Sequence, residues 1–195
     1  KGQVVDVALF ESLHSTLASE AVKLEATGAC SMRMGNQAVN TAPRNVYACA
    51  DGRYLALSAS VQSMFERLAR TIGRPELIED ERFVTNEDRV INCDTLNAIL
   101  SEYFGARSLD ENLELMDAAG VTVGPVLSAA DLVGHPYVEG RGLFTRTEDA
   151  QLGTCPIPNP VPRLSRTPGV RPRPAPQQGE HTEAILQLIR TSDET

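Results

Sequence analysis

The stretch VYACADGRYLAL, residues 46–57, has the residue pattern of a β-hairpin. Valine, tyrosine and leucine, which favour strands, lie on both sides of Asp51-Gly52, and Asp-Gly favours a two-residue hairpin turn. The sequence therefore predicts strands at residues 46–50 and 53–57 with this turn between them. The hairpin decides the fold class, because the segments downstream of it have the pattern of helices with an apolar face to bury.

Apolar residues recur with helical spacing directly after the hairpin. From Val61 to Ile72 they lie at positions i, i+3, i+4, i+7, i+8 and i+11. This spacing places them on one face of a helix, with Ser60 as its N-cap and Gly73 at its end. We therefore predict an amphipathic helix that packs against the hairpin.

Two more helices and a strand are predicted further along. One helix begins at Thr85 and continues through Phe104 on a second apolar stripe. Another begins at Ser108, which forms a capping box with Glu111. The segment VTVGPV, residues 121–126, is predicted to be a buried strand.

The two ends of the chain have a different character. Residues 4–9 are almost continuously apolar and predict a strand, and residues 10–26 predict a single helix that ends at Gly28. Eight prolines lie between residues 156 and 176, which predicts an extended tether. A final helix is expected from residue 179 onward. Because the chain begins with a strand rather than with methionine, we expect further sequence upstream.

Composition and charge exclude several classes of protein. The formal net charge of −8 at pH 7 argues against nucleic acid as a partner, although a local basic patch can still bind a small phosphorylated ligand. No apolar run approaches the ~20 residues that cross a bilayer, so we predict a soluble protein that does not contact a membrane, and scattered cysteines without a disulfide pattern favour the cytoplasm. The cysteines and histidines are too scattered for a metal site or a disulfide framework, and we expect free thiols and no metal.

The segment before the hairpin contains the candidate binding residues. Gly35, Asn36 and Gln37, with Arg33 nearby, can line a small polar site because glycine lets a ligand approach the backbone closely. The alternative is that they form only a connector into the hairpin. Local evidence favours the connector.

A set of motifs in a fixed order changes that balance. They run from GQVVDVALFES at the start, through RMGNQ, NTAPRNVYACADGRYLALSA and IGRPELIEDERFVTNEDRV, to AAGVTVGPV, HPYVEGRGLF, LGTCPIPNPVPRLSRTPG and RPAPQQGEHTEAILQLI. Each motif is weakly specific, but together they span essentially the whole chain. In this order the sequence resembles the C-terminal half of the class III CoA-transferases, the CaiB/BaiF family.

The resemblance implies a division of the chain and an assembly. Residues 1–28 correspond to the end of a Rossmann-like large domain, 29–40 to a linker with a glycine-containing loop, and 41–140 to a small α+β domain. Residues 141–178 correspond to an extended proline-rich linker, and 179–195 to a helix that returns to the large domain. The implied fold class is α/β, in a homodimer whose chains interlock.

The resemblance also implies a reaction. Family members move coenzyme A from an acyl-CoA to a carboxylic acid acceptor through covalent intermediates on an aspartate. CoA thioesters are substrates, and no further cofactor is implied. The nucleophilic aspartate lies upstream of the segment that resembles GQVVDV, so this chain is expected to contain no catalytic residue and to be inactive alone.

The glycine-containing loop is the part of the implied active site that this chain carries. In the family, a loop of the small domain closes over the aspartate, and Gly35, Asn36 and Gln37 resemble its start. Two departures stand out. A run of glycines in some members is replaced here by GNQAVN, and the familiar APYG is replaced by APRN, residues 42–45, which suggests a different acyl substrate.

Two alternative functions remain open on the sequence. An α-methylacyl-CoA racemase has the same fold, and its acid and base would also lie upstream. A non-catalytic binding or scaffold subunit would pair with a separate N-terminal protein.

Overall fold

The computed structural model describes residues 2–17, 19–170 and 174–192, which form helices and small antiparallel sheets. The mixed α/β class predicted from the sequence is confirmed. The chain divides into two compact units, residues 1–126 and 127–195. The elements are, in chain order, α1 Leu9–Ser15, α2 Glu20–Thr27, β1 Arg44–Ala48, β2 Tyr54–Ser58, α3 Gln62–Thr71, a 3₁₀ turn Pro75–Ile78, α4 Asn86–Ile91, α5 Cys93–Gly105, α6 Leu109–Ala118, β3 Val123–Pro125, α7 Ala129–Leu132, α8 Pro136–Gly140, β4 Phe144–Asp149, β5 Gly153–Pro158 and α9 Thr182–Ser192.

The core of the first unit lies between a three-stranded sheet and helices α3, α5 and α6. The sheet order is β1-β2-β3, and both pairings are antiparallel. Alternate residues of a strand point to opposite faces, so Tyr47, Leu55 and Leu57 share the inner face and are buried. Phe104 of α5 packs on Tyr47, with 5.2 Å between the ring centroids. The Tyr47 hydroxyl donates to Asn97 Oδ1 at 2.6 Å, and burial raises the pKa of Tyr47.

The hairpin forms, but its turn is longer than predicted. Cys49 N–H donates to Arg53 O at 2.9 Å, so three residues rather than the two residues Asp51-Gly52 make the turn. The additional residue is Ala50, whose N–H donates to Arg107 O at 2.8 Å and is thereby drawn away from the strand ladder. Since the extra residue lies in the turn, the pairing register differs by one residue from the predicted register.

The predicted N-terminal strand and single helix are wrong. Residues 2–8 have no regular secondary structure, because a strand needs a hydrogen-bonded neighbour and no described residue pairs with them. The helix is divided into α1 and α2. The hydroxyls of Ser15 and Thr16 each donate to a main-chain carbonyl at 2.7 Å, a local bond that competes with helix continuation. Gly28 ends α2 with φ of 70°, as predicted.

Two predictions within the first unit also need correction. The segment 121–126 forms an edge strand, β3, that is only half-buried, because its position at the end of the sheet leaves one side open. The predicted helix from Thr85 to Phe104 is two helices, α4 and α5, which meet at Asn92. The Asn92 side-chain amide donates to Asp88 O at 2.9 Å, in addition to the Asn92 main-chain N–H, and such a local side-chain bond competes with helix continuation.

The second unit contains a β-hairpin and a C-terminal helix. Strands β4 and β5 pair in antiparallel fashion around a turn that ends at Gly153, where φ is 70°. Helix α9 confirms the predicted final helix. Residues 171–173 and 193–195 lie outside the described residues, and the division into large domain, small domain and linkers stays a prediction.

Candidate functional site

The glycine-containing segment makes a tight turn on the surface of the first unit. Gln37 N–H donates to Met34 O at 3.2 Å, which closes a turn with Gly35 and Asn36 at its centre. Gly35 has φ of 62°, a left-handed conformation that glycine adopts without steric cost. The predicted loop therefore has a defined shape, and it leaves Gly35 and Asn36 exposed.

The downstream side of this turn is held by α4 and α5. Cys93 Sγ lies 3.4 Å from Gln37 Oε1, so the thiol donates to the amide oxygen. Burial raises the pKa of the Cys93 thiol, with a further contribution from Asp94, which keeps the donating proton in place. The Asn86 side-chain amide donates to Asn40 O at 2.9 Å, and its Oδ1 accepts from the Ala42 main-chain N–H at 3.2 Å.

A buried arginine fixes the segment that leads from the turn into β1. Arg89 is 1% exposed, and its Nε donates to Ala42 O at 2.9 Å. Its terminal nitrogens donate to Ser60 O at 2.9 Å and to Phe83 O at 3.0 Å. Its guanidinium lies over the Phe65 ring, 4.4 Å from the centroid. Burial lowers the pKa of Arg89 below its usual value, and the surrounding carbonyls rather than a carboxylate satisfy its donors.

The outer face of the sheet forms the floor of a pocket beside the turn. Strand pairing places Val46 opposite Ala56 and Ala56 opposite Gly124, so the centre of this face carries small side chains. Polar groups border the floor. The pocket has a volume of about 380 Å³, and the residues that line it include Asn36, Arg44, Ala56, Ser58, Thr122 and Gly124.

The three residues predicted for the loop are placed differently from one another. Asn36 lines the pocket, whereas Gln37 is held by Cys93 and Gly35 provides the bend. Their role in binding a substrate stays a prediction. Ser58 and Thr122 were missed, because only the strand register shows that they border the same pocket as Asn36.

The described residues can also be searched for a metal site, a membrane span and disulfide bonds. Among the described residues, no group of three histidine, cysteine, aspartate or glutamate side chains is arranged to hold a metal ion. The described helices include none with the length and apolar character that a membrane span requires. All four cysteines are free thiols.

Comparisons with known proteins identify the family. A model described as CoA-transferase family III matches residues 1–182. A succinyl-CoA–D-citramalate CoA-transferase of Chloroflexus aurantiacus is 32% identical over 186 residues, which are 95% of this chain and 46% of that protein. A succinate–glutarate CoA-transferase of Agrobacterium fabrum is 31% identical over 198 residues, with coverage of 100% and 48%.

A solved structure agrees with these matches. The crystal structure of a CaiB/BaiF family protein from Brucella suis has a TM-score of 0.78 and 32% identity, and the match covers 96% of this chain and 48% of that one. This chain spans about half the length of the curated relatives it matches. The family expected from the ordered motifs is confirmed, and the chain belongs to CoA-transferase family III.

Proposed function

We propose that this chain is the C-terminal portion of an acyl-CoA:carboxylate CoA-transferase, and that the nucleophilic aspartate lies in an N-terminal portion outside residues 1–195. Family membership over residues 1–182 is the observation that carries this proposal. The order of the motifs supports the assignment to the C-terminal portion. The names of the two relatives reported above support transfer of CoA between acids.

The proposed reaction uses the aspartate as a carboxylate nucleophile. Its oxygen attacks the thioester carbonyl of the donor, the C–S bond breaks, and CoA thiolate leaves a mixed anhydride behind. The thiolate then attacks the aspartyl carbonyl, which forms an aspartyl-CoA thioester and releases the donor acid. The acceptor carboxylate then attacks the carbonyl of the aspartyl-CoA thioester, which releases CoA thiolate and forms a second mixed anhydride. The thiolate attacks the acceptor's carbonyl in this anhydride, which yields the new acyl-CoA and restores the aspartate.

The turn at Gly35 supplies a surface next to this chemistry. Main-chain N–H groups at a glycine turn can stabilise a carbonyl oxygen that gains negative charge, and an exposed turn can close over a bound thioester. The bonds from Asn86 and Arg89 hold the downstream side of the segment, so movement is confined to the turn and the residues before it. In this proposal the pocket on the outer sheet face receives part of the substrate.

The experiment uses the full-length protein whose sequence includes these residues. It is incubated with succinyl-CoA and glutarate, and the acyl-CoA products are followed by mass spectrometry. We expect glutaryl-CoA to form with loss of succinyl-CoA, and we expect no transfer by the isolated chain of residues 1–195. Absence of transfer to every carboxylic acid tested would contradict the proposal.

A second arm separates transfer from racemisation. A racemase exchanges the proton next to the thioester and needs no acceptor acid. Incubation with a 2-methylacyl-CoA in deuterated water would then introduce deuterium into the acyl group. We expect no such exchange, and deuterium incorporation without transfer would assign the protein to the racemase branch of this fold.

A further inference from the structure

Arg44 differs from the other arginines of the region 42–126, all of which the structure describes. The side chain of each of the others pairs with a carboxylate or donates to a carbonyl within this region, and some also lie over an aromatic ring. No hydrogen bond or ion pair within the described residues involves the Arg44 side chain. The partnered arginines are Arg53, Arg67, Arg70, Arg74, Arg82, Arg89 and Arg107.

The backbone that carries Arg44 is held firmly although its side chain is exposed. Pro43 O accepts from Ala59 N–H at 3.1 Å, and Ala42 O accepts from Arg89 Nε at 2.9 Å. Arg44 itself is the first residue of β1 and pairs with Ser58. The backbone that carries the cation is therefore fixed at the edge of the pocket, so only the side chain of Arg44 loses conformational entropy when a ligand binds.

The pocket beside Arg44 suits an anionic ligand with a short apolar body. In this described part of the chain, no aspartate or glutamate lines the pocket, although the protein carries a formal net charge of −8. Ser58, Thr122 and Asn36 offer neutral hydrogen-bonding groups, and the small floor around Ala56 leaves room for methylene groups. Its volume of about 380 Å³ lies in the ~300–1,000 Å³ range of small-molecule sites.

Other pockets have a different character. The pocket lined by Glu114 and Asp117 is acidic, and so is the pocket lined by Glu148 and Glu180. Both disfavour an anion. A pocket that contains Arg163 lies in the second unit, where this arginine already donates to Gly142 O at 3.2 Å.

We propose that Arg44 binds the distal carboxylate of a dicarboxylic acyl group, so that the pocket selects dicarboxylic over monocarboxylic acids. This inference rests on the proposed CoA-transferase function and adds the substrate class to it. A guanidinium pairs with a carboxylate through two parallel hydrogen bonds, and this geometry places the far end of the acyl chain at a fixed distance from the turn. The replacement of the family's familiar tyrosine by Arg44 then changes the substrate rather than the reaction.

A phosphate group of coenzyme A has the same anionic chemistry and is the other source of a ligand for this arginine. The two sources make different predictions. A phosphate contact belongs to every acyl-CoA, so its loss weakens all substrates alike. A contact with the distal carboxylate belongs only to dicarboxylic acids, so its loss is selective.

The test uses the full-length protein with the variants Arg44→Met and Arg44→Lys. Acceptor specificity is measured as kcat/KM for glutarate and for pentanoate, which has the same chain length but lacks the distal carboxylate. We expect Arg44→Met to lower kcat/KM for glutarate by about 10- to 100-fold, since hydrogen bonds to charged groups contribute on that scale. Pentanoate is expected to change less than about 3-fold, and Arg44→Lys should retain part of the preference.

The matched control is Arg70→Met, which removes an exposed arginine on α3 that pairs with Glu66 at 3.4 Å. It should leave both acceptors within about 2-fold, because an exposed pair contributes little. Melting curves for all variants establish that the protein remains folded. Three results would overturn the inference while transfer itself persists. They are an equal loss of kcat/KM for both acids in Arg44→Met, a wild-type enzyme that prefers pentanoate, and a preference for glutarate that Arg44→Met leaves unchanged. Absence of transfer in the wild type contradicts the proposed function instead.

Discussion

Residues 42–126 and the two ends of the chain contain similar apolar residues in opposite environments. Leu100 and Phe104 of α5 are fully buried, whereas Leu9 and Phe10 of α1 are 88% and 77% exposed. On α9, Leu188 is 69% exposed. The difference teaches that the central region carries its own core, while described residues do not cover the apolar side chains at the ends. Under the proposed function, the N-terminal portion of the enzyme covers them.

The largest expected effect comes from removing buried side-chain volume in the central region. Leu100→Ala should lower the free energy of unfolding by about 3–5 kcal/mol, because it leaves a cavity in a packed core. Leu13→Ala, at a position that is 69% exposed, should change it by less than about 0.5 kcal/mol. Urea denaturation of the chain measures both, and equal effects would contradict the distinction between the two regions.

Removal of the buried guanidinium should have the next largest effect. Arg89→Met keeps much of the side-chain volume but leaves the carbonyls of Ala42, Ser60 and Phe83 without their donor. Each buried acceptor without a partner costs about 1–3 kcal/mol, and the carbonyls of Ala42 and Phe83 are the two that are buried, so we expect a total loss of at least about 2 kcal/mol. Arg70→Met on the exposed face of α3 is the matched control. If the two variants denatured at the same urea concentration, the account of Arg89 as a structural centre would be wrong.

The turn at Gly35 should show a smaller effect on stability. A side chain at φ of 62° is strained, so Gly35→Ala should cost about 1 kcal/mol. Gly105 does not adopt a left-handed φ, and an added Cβ there meets only Ala48 O at 3.9 Å, so Gly105→Ala should be neutral or slightly stabilising. In the full-length protein, Gly35→Val should also lower kcat for CoA transfer. Transfer at the wild-type rate would show that the segment is only a connector.

The smallest expected effect concerns acid stability at the hairpin turn. The main-chain N–H of Leu109 and the guanidinium of Arg53 hold the pKa of Asp51 below its usual value. A carboxylate with a lowered pKa stabilises the fold above its unfolded pKa of about 3.9, and this contribution disappears as the pH falls through the folded value. As the pH is lowered from about 5 to about 3, the Asp51→Asn variant should therefore lose less stability than the wild type.

Melting temperatures across this pH range provide the measurement, with Asp117→Asn as the control. Within the described residues, the Asp117 side chain takes part in no hydrogen bond or ion pair, so Asp117→Asn removes a carboxylate without removing such a contact. A pH dependence that is identical in Asp51→Asn and in the wild type would exclude this role for Asp51.

The elements that could be predicted from the sequence are those whose signals are local. The apolar stripe of α3 and the capping box of Ser108 and Glu111 depend on residues three or four positions apart. The structure confirms the capping box and the stripe from Met64 to Ile72, whereas the N-cap of α3 is Val61 and not the predicted Ser60. The hairpin turn could not be predicted in detail, because Arg107, far away in the sequence, draws Ala50 out of the ladder.

The candidate site shows the same limit. Asn36 could be named from its neighbour Gly35, but the pocket that it lines depends on how three strands pair. Arg44 stood out in the sequence only as a departure from a family motif. Its lack of a partner and its position beside Ser58 become visible only when the strand register is known.

Hydroxylamine trapping tests the central claim most directly, because it locates the covalent intermediate. The full-length protein is incubated with succinyl-CoA alone and then with hydroxylamine, which converts an activated aspartyl group into a hydroxamate that peptide mass spectrometry can place. We predict a single modified aspartate outside residues 1–195, formed only when acyl-CoA is present. A hydroxamate on an aspartate of this chain, such as Asp6 or Asp51, or acyl transfer with no trapped intermediate, would contradict the account.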